Sequence, residues 1–464
     1  MITQDLIYRY LYIEEYVTIP KKEYEALKQL LCDLQAQVQL LQEEIRLLKN
    51  GKKSNTSHTS PSHDIGRSNL KSLREKTGKK SGGQKGHEGT TLQITLTPDE
   101  IIDYRSNFCS SCSNSLDSSV SILHERKQEI IIPPIKACYI EHRLYSTACC
   151  VCGHNTVGNL PSHLKAPIQY GTSVSATIAY LFAYQYLPYN RIKKVMSDLF
   201  NICLSEGTID NLLAKATANA MPVYEQIQSR LQESKVVGGD ETGTKINSDK
   251  GWFHVWQNNT LTFIVAAMTR GYKTTEVFFE NGFPKAVYVS DCWSAQLKTP
   301  AKQHQLCLVH LLRELTNFED ALNCAWSIEL KTLFKKAIQV KQELQDIDYL
   351  HPPNAITELE KELEKLLEVD STLFHAKIKA FVKRLIKHRN SIFTFLHYQQ
   401  VPFDNNSSER AIRNVKVKNK VSGCFRSQAG ANRFAVLRSV IDTTVKNNQD
   451  VFSAINLLVN FAPK

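Results

Sequence analysis

The sequence predicts a multidomain α/β protein with a core of strands and helices, an all-helical insertion in that core, and smaller modules before it. Three observations support this prediction. Strand-like runs end close to two acidic residues, Asp240 and Asp291. A long stretch with helical periodicity then separates Asp291 from a third acid, Glu409. A heptad repeat, a basic stretch and two cysteine pairs precede these features, and 464 residues suffice for about three domains.

The composition indicates the kind of partner and the compartment. A formal net charge of +11 and an isoelectric point near 8.9 favour a polyanion, because Lys and Arg release counterions from phosphates. Nucleic acid is the first expectation and an anionic membrane surface the second. No apolar run approaches the ~18–20 residues of a membrane span, and no signal-peptide pattern is present. We therefore expect a cytoplasmic protein without a membrane partner, whose 12 cysteines are reduced or bind metal.

The first predicted segment, residues 1–50, contains an unbroken heptad repeat over residues 24–48. Leucine at every d position and β-branched residues at two a positions favour a parallel two-stranded coiled coil. The segment therefore predicts a homodimer, whereas an amphipathic helix packed on its own chain is the alternative. The a positions are Tyr24, Leu31, Val38 and Ile45, and the d positions are Leu27, Leu34, Leu41 and Leu48.

Residues 51–95 are predicted to be a basic flexible linker. Residues 51–90 hold nine Lys or Arg against three acids, are rich in Ser and Gly, and have almost no large apolar side chains. A segment of this composition cannot bury a core of its own. It is either a solvated linker or a mobile cationic chain that follows a DNA backbone.

Two C-x2-C pairs define the next predicted module, residues 96–160. Two such pairs separated by strands are typical of a structural zinc site, since each pair supplies two thiolates to one ion. The segments SILHERKQEIIIPP and ACYIEHRLYST between the pairs are predicted to be short strands. Cys150 and His154 lie near the second pair but do not repeat the spacing of the first, and reduced, packed cysteines are the alternative. The predicted zinc ligands are Cys109, Cys112, Cys149 and Cys152.

Residues 161–232 are predicted to be helical. One helix contains RIKKVMSDLF and opens near Pro188, and Ser205 is a candidate N-cap for the next helix, EGTIDNLLAKA. Two helices across a short break resemble a helix-turn-helix that reads DNA. The alternative is that both helices pack in the core.

Residues 233–300 together with 400–450 are predicted to form the main α/β core. Three strand-like runs, KVVGGDETGTKI, GWFHVWQNN and TLTFIVAAMT, are joined by turn residues, and a short helix leads to the fourth strand, KAVYVSD. Three antiparallel strands, a crossover helix and a parallel fourth strand describe the ribonuclease H-like fold. The first and fourth strands are neighbours in this topology, so Asp240 and Asp291 are expected side by side.

The predicted helical insertion, residues 301–399, divides at Pro352 and Pro353. It separates Glu409 from the other two acids in sequence, so Glu409 must fold back to reach the strand ends. Residues 451–464 are predicted to be a C-terminal tail.

Several motifs in order resemble the transposases of the insertion-sequence-66 family, which belong to the DDE, ribonuclease H-like transposases. The motifs include GGQKGHEGTTL, the cysteine pairs, LPYNRIKKVMSDLF, GGDETG, VYVSDCW and DNNSSERAIRNVKVKNK, and they cover nearly the whole chain. The resemblance implies a transposase with Asp240, Asp291 and Glu409 as its catalytic triad. Cys307 and His310 resemble a C-x2-H element of related transposases, and the spacing from Glu409 to Lys416 resembles their E-x6-K spacing.

The residue types suit phosphodiester chemistry. Three carboxylates supply the oxygen ligands that Mg²⁺ or Mn²⁺ prefers, and two such ions activate the attacking oxygen and stabilise the leaving one. Eight Lys or Arg and no acid occur from Arg410 to Arg438. If Glu409 begins a helix, the side chains at i+4 and i+7 share its face. The expected magnesium ligands are Asp240, Asp291 and Glu409, and the expected DNA contacts are Arg410, Arg413 and Lys416.

The expected function is cleavage and strand transfer at the terminal inverted repeats of an insertion sequence. The expected partners are the element ends, target DNA, a second copy of the chain, and small accessory proteins of the same element. The expected location is the bacterial cytoplasm, in association with the nucleoid. Two other classes remain: a catalytically inactive DNA-binding regulator, and a ribonuclease H-like structure-specific nuclease. The complete triad argues against the first, and the coiled coil and zinc module argue against the second.

Overall fold

A computed structural model describes residues 20–50, 92–372 and 374–461 of the chain. The chain divides into two compact units. The described residues of the first unit are 20–50, 170–192 and those from 207 onwards, and those of the second unit are 92–169 and 193–206.

The heptad segment forms one helix, α1 (Lys21–Asn50). Its described heptad side chains are about half exposed in a single chain, as at Leu34 (55%) and Leu41 (58%). A second helix of a coiled coil covers an apolar seam of this kind. The helix is confirmed, while pairing with a second copy stays a prediction. Residues 51–91, most of the predicted basic linker, lie outside the described residues.

The second unit contains one short antiparallel hairpin, β1 (Ser146–Ala148) and β2 (Asn155–Val157), around the second cysteine pair. The prediction of strands over residues 121–134 and 137–147 is wrong, except for the last two residues, which begin β1. Apolar side chains in these segments are exposed, among them Ile122 at 87% and Ile132 at 83%. The segments have β-forming residues but no neighbouring strand to complete their backbone hydrogen bonds.

The predicted helical region begins with α2 (Thr172–Ala179) and a π-helical turn (Tyr180–Tyr184), followed by α3 (Tyr189–Phe200) and α4 (Glu206–Gln232). Both helices of the predicted pair are present. The division between the two compact units falls inside α3 and again at the start of α4, so residues 161–232 are not a single unit.

Helix α4 packs on the central sheet of the first unit. Ile209, Leu213 and Leu231 are buried on one of its faces, and the Tyr224 hydroxyl donates to the Ile264 carbonyl at 2.8 Å. Most of α4 is therefore a core helix. For α4 this agrees with the alternative prediction, packing in the core, rather than with DNA recognition.

The central sheet is formed by the next segment of the chain. In chain order its elements are β3 (Val236–Ile246), β4 (Asp249–Gln257), β5 (Thr262–Ala267), α5 (Tyr272–Phe278), β6 (Phe283–Ser290), α6 (Ser294–Leu297) and β7 (Ala301–Leu306). The five strands lie in the order β5-β4-β3-β6-β7. The first three are antiparallel, whereas β6 and β7 run parallel to β3. This mixed sheet is compatible with a ribonuclease H-like core, and the predicted neighbours β3 and β6 are confirmed.

The predicted start of the helical insertion, residue 301, is wrong, because residues 301–306 form the strand β7. The sequence AKQHQL has little β propensity, and pairing with β6 along the sheet edge sets its conformation. Gln305 is fully buried, and its hydrogen bonds connect β7 to the end of the insertion. Its side chain donates to the Ile392 carbonyl at 2.9 Å and accepts the Phe395 N–H at 2.7 Å.

The insertion itself is helical from residue 308, as its periodicity predicts, and its helices share a core with β6 and β7. Leu315, Phe334 and Phe381 are buried together with Val289 and Leu306. The predicted division at the two prolines falls between the second and third helices. The helices are α7 (Leu308–Leu322), α8 (Ala325–Glu343), α9 (Asn354–Leu367), α10 (Ala376–Lys387) and α11 (Thr394–His397).

Three helices follow the insertion: α12 (Asn406–Ser422), α13 (Gln428–Lys446) and α14 (Val451–Asn460). The prediction of a C-terminal tail is wrong for residues 451–460. Apolar residues at a spacing of four bury one face of α14, and Asn219 of α4 donates to its last carbonyls at 3.3 Å. Within the described parts of the chain, no helix has the length and apolar character needed to cross a membrane.

Candidate active site

Two of the predicted acids lie on neighbouring strands: Asp240 stands within β3, and Asp291 directly follows β6. Strands β3 and β6 are parallel, with Gly238 opposite Val289. Two residues further along come Asp240 and Asp291, so their carboxylates are neighbours. Burial, and then the charge of Asp291, raise the pKa of Asp240 well above its usual value of 3.8. A buried acid whose pKa is raised by a neighbouring acid in this way is typical of functional sites.

Two glycines before Asp240 allow other side chains to approach β3 closely. A Cβ atom on Gly238 would lie 2.5 Å from Gln257 Nε2 and 2.8 Å from Ser408 Oγ. A Cβ atom on Gly239 would collide with the Tyr288 hydroxyl. Glycine is therefore required at both positions for this packing.

Asn405 fixes the start of α12 against β3. Its Nδ2 donates to the Gly239 carbonyl at 2.7 Å, and its Oδ1 accepts the Ser408 hydroxyl at 2.7 Å. Its backbone N–H donates to Cys307 Sγ at 3.2 Å. These contacts hold the first turn of α12, which carries Glu409, beside the residue that precedes Asp240.

Glu409 lies in a partly buried position with a histidine and two arginines around it. Its Oε1 is 3.6 Å from His310 Nε2 and 3.5 Å from Arg313 Nη1, and its Oε2 is 3.8 Å from Arg413 Nη2. His310 and Arg313 come from α7 at the start of the insertion. His310 belongs to the C-x2-H element noted in the sequence, and its Nε2 lies beside Glu409.

The three acids suit a hard divalent cation, because all their donor atoms are carboxylate oxygens. The buried Oε1 of Glu409 has no hydrogen-bond partner within the described residues. The charges of Asp291 and Glu409 add to burial in disfavouring the anionic form of Asp240, and a bound cation would relieve this repulsion. In the described ranges no three His, Cys, Asp or Glu side chains stand close enough to hold one ion.

The cationic run after Glu409 divides into exposed and buried members. Arg413 is 70% exposed, Arg410 is exposed, and Lys416 is partly exposed, so these three predicted DNA contacts reach solvent. Lys418 is only 2% exposed and donates to the Leu187 carbonyl at 2.9 Å. Two further members of the run are engaged within the protein, since Arg433 pairs with Asp210 and Arg438 pairs with Asp442.

The two cysteine pairs form the same local turn. The N–H of Ser113 donates to the Cys109 carbonyl at 2.9 Å, and that of Gly153 donates to the Cys149 carbonyl at 2.8 Å. Ser113 and Gly153 both have positive φ, at 57° and 69°. Hydrogen bonds from the backbone of Cys112 lower the pKa of Cys109, and those from Cys152 lower the pKa of Cys149. Each pair is preformed, but the structure does not gather the two pairs into one metal cluster.

Sequence reasoning missed the residues that support the acids. Asn405 is positioned as an N-cap four residues before Glu409, which is a recognisable signal at a helix start. Arg313 follows His310 by three residues on the same predicted helix and therefore shares its face. The roles of Gln257 and Ser408 depend on packing between distant segments, and no local pattern indicates them.

A five-stranded mixed sheet with acids side by side on adjacent strands, and a third acid on a helix beyond an insertion, is compatible with the ribonuclease H-like class of nucleic-acid enzymes. The sequence model of the Transposase IS66 family matches residues 167–433, which is more than half of the chain. The chain belongs to this family, which makes it a DNA-acting enzyme of the transposase class. A search of curated proteins finds no match.

Proposed function

We propose that this protein is a DDE transposase that binds the terminal inverted repeats of an insertion sequence, cuts DNA strands there and joins them to target DNA. Asp240, Asp291 and Glu409 would be its catalytic residues. The observation that carries the proposal is the pairing of β3 with β6, together with the Asn405 contact that holds the start of α12 against β3. These contacts explain how acids far apart in sequence can serve one site.

The three carboxylates would hold Mg²⁺ or Mn²⁺. When bound, the ions supply activation of the attacking oxygen and stabilisation of the leaving oxygen. Asp240 contributes a charge that its buried surroundings disfavour, and Glu409 contributes an oxygen without a hydrogen-bond partner among the described residues. Arg313 lies beside that oxygen, so it would offset the charge of Glu409 before the site is loaded.

The other modules would grip DNA and pair two protomers. Arg410, Arg413 and Lys416 would contact DNA phosphates, since all three reach solvent on the helix that carries Glu409. Zn²⁺ at the two cysteine pairs would stabilise the second unit, and α1 would pair with its copy through the half-exposed heptad seam. Small accessory proteins of the same element and association with the bacterial nucleoid complete the proposal.

The proposal is tested with a labelled duplex that carries the inverted repeat flanking the gene. We expect Asp240→Asn, Asp291→Asn and Glu409→Gln each to abolish Mg²⁺- or Mn²⁺-dependent cleavage while binding to the duplex is retained. The amides keep the shape of the side chains but lose the charge that holds the ions. Glu319→Gln, which removes an acid paired with Lys331 in the insertion, is the matched control and should cleave normally.

Each outcome of this test has a definite meaning. Wild-type cleavage by any one of the three variants removes that residue from the site. Binding without cleavage by the wild-type protein, under all metal conditions, favours a DNA-binding regulator. Cleavage of branched DNA without preference for the inverted repeat favours a structure-specific nuclease.

A further inference from the structure

Glu241 is a buried carboxylate that the proposed chemistry does not use. It follows Asp240 on β3, so its side chain leaves the opposite face of the strand. The side chain is 3% exposed, and Arg270 binds its Oε1 through Nε at 2.8 Å and Nη2 at 2.7 Å. Gln296 of α6 donates to its other oxygen. Glu241 is thus held from two sides by residues outside β3.

Arg270 also contacts two tryptophans through the face of its guanidinium. Its Cζ lies 3.8 Å from the ring centroid of Trp293 and 5.1 Å from that of Trp252. A planar guanidinium stacks well on aromatic faces, and a Lys ammonium does not reproduce this geometry. Arg270 therefore joins β3, β4 and the turn after β6 at one point.

The turn after β6 is the segment that carries Asp291. The backbone N–H of Trp293 donates to Asp291 Oδ1 at 2.9 Å, which orients the carboxylate. The ring of the same residue rests on Arg270, and α6 begins at the next residue. A chain of direct contacts thus runs from Glu241 on β3, through Arg270 and Trp293, to Asp291.

We propose that Arg270 is a positioning residue for Asp291. Arg270 acts through Trp293 and is itself anchored by Glu241. The proposal rests on the proposed function, because it takes Asp291 to be a ligand of the catalytic ion. The anchor lies on the strand that carries Asp240, so Arg270 fixes the two aspartates relative to each other. Loss of Arg270 removes the support of the Trp293 ring and leaves Glu241 buried without its cation. Groups that orient a metal ligand typically change metal affinity about 10–100-fold.

The test measures Mn²⁺ affinity of the full-length, DNA-free protein by electron paramagnetic resonance. We expect Arg270→Gln and Trp293→Ala each to weaken binding about tenfold or more, because both break the chain of contacts to Asp291. Trp293→Phe keeps an aromatic ring and the backbone N–H, and should bind nearly as tightly as wild type. Lys331→Met removes an ion pair in the insertion, and this control should leave Mn²⁺ affinity unchanged.

Wild-type Mn²⁺ affinity in both Arg270→Gln and Trp293→Ala would overturn the positioning role. If Arg270→Gln does not fold, Trp293→Ala decides the question, since it keeps the Glu241–Arg270 pair. Cleavage by Asp291→Asn distinguishes this failure from that of the proposed function. An inactive Asp291→Asn beside a Trp293→Ala of unchanged affinity contradicts the positioning role alone, whereas an active Asp291→Asn contradicts the catalytic assignment itself.

Discussion

The two faces of β3 present consecutive acids, Asp240 and Glu241, to different surroundings. Burial is the main cause that raises the pKa of each carboxyl group. Glu241 has a cation beside it, because Arg270 binds it through two nitrogens. Within the described residues, no Lys, Arg or His forms an ion pair with Asp240, and the side-chain charges that act on it come from other acids. The charge of Asp291 raises the pKa of both carboxyl groups, but Arg270 partly offsets this effect at Glu241.

The difference separates a structural acid, Glu241, from a proposed metal ligand, Asp240. The ion pair between a buried acid and a fixed cation links the elements that carry them. A buried acid among other acids is destabilised by electrostatic repulsion, and a bound cation reduces that repulsion. The same contrast exists among the cysteines. Cys307 is buried and accepts an N–H from Asn405, whereas Cys112, Cys149 and Cys152 are exposed. Exposed thiols whose pKa is lowered by backbone hydrogen bonds, as at Cys149, are the ones that suit an added metal.

The largest effect is expected at the cysteine pairs. The purified protein should contain about one zinc ion per chain, because four thiolates in two preformed turns match a tetrahedral structural site. Cys109→Ser and Cys149→Ser should each lose the ion and the ordered fold of the second unit, as structural zinc contributes folding energy directly. Metal analysis and proteolysis of the purified variants measure both effects.

Cys150 supplies the control for this prediction. Cys150 lies within the turn from Cys149 to Cys152 but does not repeat the spacing of the first pair, so Cys150→Ser should keep zinc and resist proteolysis like wild type. Zinc-free wild-type protein with all these thiols reactive would contradict the site. Loss of zinc in Cys150→Ser would show that the second pair uses a different thiol.

The next effect concerns the unpaired acid on β3. Asp240→Asn should raise the melting temperature of the metal-free protein at neutral pH, by about 1–3 °C if about 1–2 kcal/mol of repulsion is removed. Glu241→Gln is the matched control and should gain less, because it weakens the bonds from Arg270. Added Mn²⁺ should stabilise the wild type and not Asp240→Asn. Thermal unfolding with and without Mn²⁺ measures these differences.

The pH dependence of this effect has a definite sign. The pKa of Asp240 is raised in the folded state, so the folded protein binds more protons than the unfolded one above pH 3.8. The contribution of Asp240 to the stability of the metal-free wild type therefore falls as the pH rises from 3.8 towards the raised pKa of Asp240. The advantage of Asp240→Asn should be largest at neutral pH and shrink towards pH 3.8. A larger gain in Glu241→Gln, or a gain that does not depend on pH, would contradict the contrast between the two faces.

The sequence predicts the central strands and the pairing of Asp240 with Asp291 because these features follow from local pattern and topology. Apolar runs ended by Asp291, and turn residues between strands, are visible without a structure. Strand β7 is not, since its polar sequence becomes a strand only through the edge of β6. The segments around Ile122 and Ile132 show the reverse, because β-forming residues without a partner strand stay irregular.

The three acids can be predicted from the sequence motif, but the residues that hold them in position cannot. Asn405 and Arg270 are separated from the strands they hold by up to 166 residues of sequence, so only the folded chain reveals their contacts. Charge alone is also a poor guide to DNA contacts. Lys416 and Lys418 belong to the same cationic run on α12, yet one reaches solvent and the other is enclosed.

Lys418 is the buried counterpart of Lys416. It donates to carbonyls of the segment between the π-helical turn and α3, and lies 4.1 Å from the centroid of the Phe182 ring. Burial lowers the pKa of Lys418 to about 7. The unfolded chain therefore binds the proton more strongly between about pH 7 and pH 10.5, and stability contributed by this group rises with pH in that window. Lys418 thus acts on the fold and not on DNA.

The smallest effect is therefore expected when Lys416 is changed. Lys416→Ala should weaken binding to all DNA sequences similarly and reduce the salt dependence by roughly one counterion, as a lost phosphate contact does. Cleavage should fall further than binding if Lys416 also positions the phosphate beside Glu409. Lys418→Met, the buried control, should leave the salt slope unchanged and flatten the rise of stability between about pH 7 and pH 10.5. The measurement is DNA affinity at several salt concentrations. Equal slopes of log affinity against log salt concentration for Lys416→Ala and wild type would mean that Lys416 only balances charge within the protein.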